Sequence, residues 1–220
     1  MSLKFGITFV ISKNMKSLFK GYVIFCTILL YLSIVSYVDV KIYSSKDKLE
    51  RKANEILWKK DVKLNWGNFQ GIPDTTSSHS ASTSSGIDFS YIEQGIYISF
   101  DFSTYFDQSK SWIKIQDQTH RLLAHEQLHF DISELTARKI RRDCFEFKTE
   151  SKSFDAVVNI VKDIYAKNNL FKKSLNQQYD LETEHGTVVE KQIEWEKNIT
   201  SELTSLNKYS SPKILKRFSN

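Results

Sequence analysis

Between Ser111 and Arg142 the chain has no Gly or Pro, and Ile115, Leu122, Leu128, Ile132 and Leu135 recur near helical spacing. A segment of this length reads as one long, half-buried helix, with Ser109 or Ser111 as its cap. The residues ahead of it follow a different period. From Ile87 to Tyr105, Phe89 and Tyr91 share one face and Ile96, Ile98, Phe100 and Phe102 the other, while Glu93-Gln94-Gly95 marks a turn. A hairpin followed by a long helix implies an α+β domain rather than a bundle or a sandwich. Two more helices are expected after it. One runs from about Phe154 to Leu175, and one begins after Gly186 with the stripe Val188, Gln192, Trp195, Ile199, Leu203 and Leu206. Val62 to Trp66 alternates like a strand, and Thr75 to Ser85, mostly Ser and Thr, reads as a loop or irregular edge strand.

The long helix carries His125-Glu126-Gln127-Leu128-His129. A step of four residues turns a helix by about 400°. The two imidazoles therefore lie on one face, one turn apart, and can reach a single Zn2+ at about 2.0–2.1 Å. Glu126 sits where its carboxylate can approach the open metal position, take a proton from water and pass it to a leaving amine. This is the H-E-x-x-H arrangement of zinc metallopeptidases. A catalytic zinc needs a third protein ligand. Residue 135, where metzincins place theirs, is Leu. Glu134 lies about 140° around the helix from His129. His79, in the Ser/Thr loop, and His120, off the face of His125, read as structural or incidental. The segment joining the second and third helices, Gln178 to Gly186, concentrates donors: His185 is the expected third ligand and Asp180 the alternative. Tyr179 is either a hydrogen-bond donor to an oxyanion or a packing residue.

Two cysteines, Cys26 and Cys144, exclude a disulfide framework and a polythiolate metal site within the domain. Cys144 reads as a small packed hydrophobe. The net charge of +5 comes from short basic clusters among acidic residues, and no nucleic-acid motif accompanies them, so no nucleic-acid partner is expected. Lys13, Lys16 and Lys20 precede Tyr22 to Val38, an apolar run without charge. Its length suits a signal peptide or an uncleaved membrane anchor, and both place the rest of the chain outside the cytosol. The expected organisation is a signal or anchor over 1–38, a stalk or linker with a short helix over 39–60, a catalytic domain over 61–207, and a loose basic tail over 208–220.

The residues Leu122 to Ile132, with Glu134-Leu135-x-Ala137-Arg138 after them, resemble the domain-of-unknown-function 922 family, bacterial envelope or secreted zinc-dependent proteases. So do Gln178-Tyr179-Asp180-x-x-Thr183-x-His185-Gly186 and then Gln192 and Trp195. A weaker likeness extends through Trp66, Phe69-x-Gly71-x-Pro73 and Gly86-Ile87, so that about residues 60–205 are covered. The resemblance implies a zincin-like α+β fold, a small antiparallel sheet packed on the long motif helix with two further long helices. It also implies zinc as cofactor, a peptide or protein substrate, His125, His129 and His185 as ligands, and Glu126 as base. The rival expectation is a zinc-binding interaction module of the cell envelope without turnover.

Overall fold

The computed structural model describes residues 41–44, 54–150 and 152–219. The apolar run Tyr22 to Val38 and Cys26 lie outside the described residues. Among the described residues no helix is long and apolar enough to cross a membrane.

The elements in chain order are strands β1 (Lys41–Ser44), β2 (Glu55–Leu57), β3 (Ala81–Ser82), β4 (Ser85–Gln94), β5 (Tyr97–Asp107) and β6 (Trp112–Ile113), helices α1 (His120–Glu146), α2 (Phe154–Thr183) and α3 (Val189–Ser205), and strand β7 (Lys213–Arg217). The result is a small antiparallel sheet packed against three long helices, an α+β arrangement of zincin-like outline.

The expected hairpin is the backbone of this sheet. β4 and β5 pair from Ser85↔Phe106 to Gln94↔Tyr97 and leave a two-residue turn. Gly95 opens that turn at φ 59°, where a side chain would be strained. The alternation of β5 buries Ile98, Phe100, Phe102 and Phe106 completely, and they pack with Ala137, Ile140 and Cys144 of α1 or with Phe130. Each such apolar side chain contributes about 1.5–3 kcal/mol on burial. Burial also pushes the Cys144 thiol up to about 12, which leaves it an inert packing group.

Four expectations give way to tertiary pairing. Residues 41–44 and 55–57, within the expected stalk, are strands on β4 and β5. Val62 to Trp66 joins no ladder: Leu64 is buried, and its N–H donates to the Gln127 side chain instead. The expected loose tail forms β7 along β5, with Ile214 opposite Phe100. The motif helix starts at His120 rather than Ser111, because Trp112 and Ile113 pair with β3 and the Thr119 hydroxyl accepts from Leu122 N–H.

Helix α1 is central. It packs on β4, β5 and β7 along one side and on α2 and α3 along the others. Leu128, Ile132 and Leu135 meet Tyr179 and Ile199 in a cluster that joins the three helices. α2 runs farther than its apolar stripe, through Thr183, so the donor-rich segment read as a connector is its last two turns. It stops where Glu184, His185 and Gly186 take φ of 46°, 55° and 83°, all left-handed.

Candidate metal centre

Four donors converge on the wall of a cavity of about 450 Å3. His125 and His129 come from α1, Asp180 from α2 and His185 from the left-handed turn behind it. His125 Nε2 stands 3.1 Å from Asp180 Oδ1, His129 Nε2 stands 3.0 Å from the same oxygen, and the two nitrogens are 3.2 Å apart. Ligand atoms held about 2.0–2.1 Å from a tetrahedral zinc stand about 3.3 Å apart. This triangle has nearly that edge. His185 Nδ1 lies 3.7 Å from Asp180 Oδ1, and one ligand atom each of His125, Asp180 and His185 fall within 4.8 Å of one another. The His/His/Asp group can hold a metal ion. Side-chain exposure is 2% at His125, 14% at His129 and 51% at His185, so His185 forms the rim.

The second nitrogen of each motif histidine is backed by an amide oxygen. Asn176 Oδ1 is 2.6 Å from His129 Nδ1, and its Nδ2 donates to the Lys172 carbonyl, which fixes the amide's orientation. Gln192 Oε1 is 3.3 Å from His125 Nδ1, and its Nε2 donates to Glu196. With Nδ1–H donating to the amide oxygen, each ring turns its Nε2 toward Asp180, where that nitrogen donates when the ring is protonated and would bind a metal when it is neutral. Asn176 and Gln192 carry no motif signal of their own. Asn176 becomes legible only once α2 is known to continue past Leu175, because it then lies four residues before Asp180 on one stripe.

Charge in the cluster is mutually dependent. Burial works to raise the Asp180 pKa, but hydrogen bonds from His125 and His129 outweigh it and hold the carboxyl well below its ordinary range. Burial lowers His129, while the hydrogen bond to Asp180 and the nearby Glu126 charge raise it, and the raising effects win. At His185 burial is the larger influence and its pKa falls.

Glu126 lines the cavity with both histidines and is buried, and among the described residues its Oε2 has no hydrogen-bond partner. A buried polar oxygen in that condition is costly unless water, substrate or a cation reaches it. Gly186 completes the fit. A Cβ there would come within 2.9 Å of His125 Cβ, so the ring can seat only against a glycine. Donor set, orphaned carboxylate and glycine cradle together suit a divalent metal ion.

Tyr179 is fully buried and absent from the cavity wall. Its ring stacks on His125 at 4.5 Å, its hydroxyl donates to Gln192 Oε1 at 2.7 Å, and burial pushes its pKa up. Of its two sequence readings, the packing role matches this placement. His79, read as incidental, lies on the cavity wall with its ring 4.4 Å from that of His185. His120 is exposed at the start of α1 and takes no part. Glu134 is buried and bound by Arg138 and Arg141, and it does not line the cavity.

The strand side of the cavity is Ser82, Thr83 and Ser85, which lead into the hairpin at the start of β4. The Thr83 and Ser85 hydroxyls donate to the Glu126 and His129 carbonyls and tie this segment to the motif helix. The chain matches no protein-family model, no curated protein and no solved structure, so the resemblance to the zinc-protease family rests on the quoted residues alone.

Proposed function

We propose that the chain is a zinc-dependent hydrolase that cleaves peptide bonds, with His125, His129 and Asp180 as metal ligands and Glu126 as general base. What carries this reading is the bare Oε2 of Glu126, a buried carboxylate oxygen held ready beside a triangle of ligand atoms. Asp180 takes the place that the sequence gives first to His185, because its oxygen closes the triangle at 3.0–3.1 Å while His185 Nδ1 stands farther out.

Zinc, when bound, supplies a Lewis acid that polarises the scissile carbonyl and brings a water pKa to about 7. The chain does the rest. Asn176 and Gln192 hold the imidazoles in one tautomer. Glu126 accepts the water proton on Oε2 and delivers it to the departing amine nitrogen. Ser82 to Ser85 form the wall along which an extended peptide lies. The apolar run Tyr22 to Val38, with lysines ahead of it, supports an exported setting for this reaction.

A second reading has one observation behind it. His185 is close enough to become a fourth donor, and four protein ligands close a structural site against water. E126Q separates the two. For a hydrolase, the variant binds zinc as the parent does and loses at least a hundredfold in peptide-cleavage rate. Parent protein that binds zinc and cleaves no member of a mixed peptide library supports the closed site.

A further inference from the structure

Helix α2 presents Lys172, Asn176 and Asp180 on one stripe, four residues apart, toward the cavity. Asp180 faces the histidines and Asn176 backs His129. Lys172 is left without such a partner. It is half-buried, its Nζ donates to the Ser85 carbonyl at 3.3 Å, and no carboxylate among the described residues pairs with it. An ammonium carries three donors, so this contact leaves two unused. Burial alone shifts its pKa, downward, which marks a cation that gives up water without gaining an anion. Such groups are expensive to keep unless a ligand supplies the missing charge.

We propose that Lys172 is the carboxylate-recognition residue of the substrate cleft. The inference rests on the hydrolase reading above and deepens it by naming the substrate class: peptides with a carboxylate near the scissile bond. Two helical turns separate Lys172 from Asp180, an axial distance of about 12 Å. An extended peptide advances about 3.3 Å per residue, so the recognised carboxylate sits roughly two to four residues from the bond cleaved. It comes either from an acidic side chain or from the free C-terminus. Ser85 fixes the reach of Nζ, because its hydroxyl is itself held against Ser133 and the His129 carbonyl.

The test measures binding by calorimetry to the full-length chain carrying E126Q, so that peptides are retained, both with zinc and after chelation. The probes are neutral N-acetyl-trialanine amide, the same peptide with a free C-terminal carboxylate, and the amide with one alanine replaced by glutamate. At least one carboxylate peptide is expected to bind about tenfold more tightly than the neutral one, as a charge-assisted hydrogen bond implies. Whichever probe gains identifies the source of the carboxylate. K172Q, which can still donate to the Ser85 carbonyl, should reduce the preference to within about twofold, and K172R should restore most of it. A preference absent from the parent, or unchanged in K172Q, overturns the proposal. If zinc fails to bind while the chelated protein shows a Lys172-dependent preference, the carboxylate site stands and the hydrolase reading falls. If zinc binds and K172Q changes nothing, the reverse holds.

Discussion

Each metal-facing imidazole is constrained at both nitrogens, by Asp180 on one side and by an amide oxygen on the other. Without metal, this arrangement stores its stability in charge. The folded pKa of His129 lies above its unfolded value of 6.5, so its contribution is complete below about pH 6.5 and is lost as pH rises through the folded value. Asp180 has the opposite sign: its folded pKa is depressed, so its contribution holds above the ordinary carboxylate range and fades only in acid. The metal-free protein should therefore melt at progressively lower temperature as pH rises above about 6.5. D180N should flatten that slope, because the raising partner is gone. Thermal scans of both proteins across this range check it, and an equal slope in the two would contradict the coupling.

At the scale of elements, the decisive feature is how α2 ends. Its last turns bring Asn176 and Asp180 to the histidines, and three successive left-handed residues fold His185 back to the rim while Gly186 admits the His125 ring. G186A puts a methyl group within 2.9 Å of His125 Cβ at a φ of 83°. It is expected to cost about 1–3 kcal/mol in urea denaturation and to weaken zinc binding at least tenfold. Unchanged zinc affinity in a folded G186A protein would contradict the cradle. Much of this level was legible in the sequence. The H-E-x-x-H spacing fixes one helix face, and the alternation of β5 marks its buried side before any coordinates. The third donor was not fixed that way, because polar residues from Asn176 to Glu184 interrupt the apolar stripe and resemble a connector. They are helical because Tyr179 is buried against α1 and α3, a contact that local pattern does not reveal. Strands of three to five residues at 55–57 and 213–217 escape notice for the same reason: their partner, β5, lies far away in sequence.

Across the whole domain, helix α1 is registered to the sheet by a buried ionic cluster. Glu134 binds Arg138 and Arg141 and accepts from the Thr104 hydroxyl on β5, and Arg141 reaches the carbonyls of Phe102 and Tyr209. Removing the carboxylate leaves two buried guanidinium groups without their counter-charge. E134A should therefore lose about 3–5 kcal/mol of folding stability, read from the shift in urea midpoint. A loss under about 1 kcal/mol would mean that the cluster does not set the register. The sheet, this cluster and the three-helix contact at Tyr179 serve a common end, which is to hold two histidines of one helix against a carboxylate of another. Crystals of the full chain grown with zinc, with anomalous scattering recorded at the zinc edge, test that claim most directly. The account predicts one zinc per chain, bonded to His125 Nε2, His129 Nε2 and Asp180 at about 2.0–2.1 Å, with a fourth position open to the cavity beside Glu126. A zinc enclosed by His185 as a fourth protein ligand, or no zinc between these residues, would contradict it.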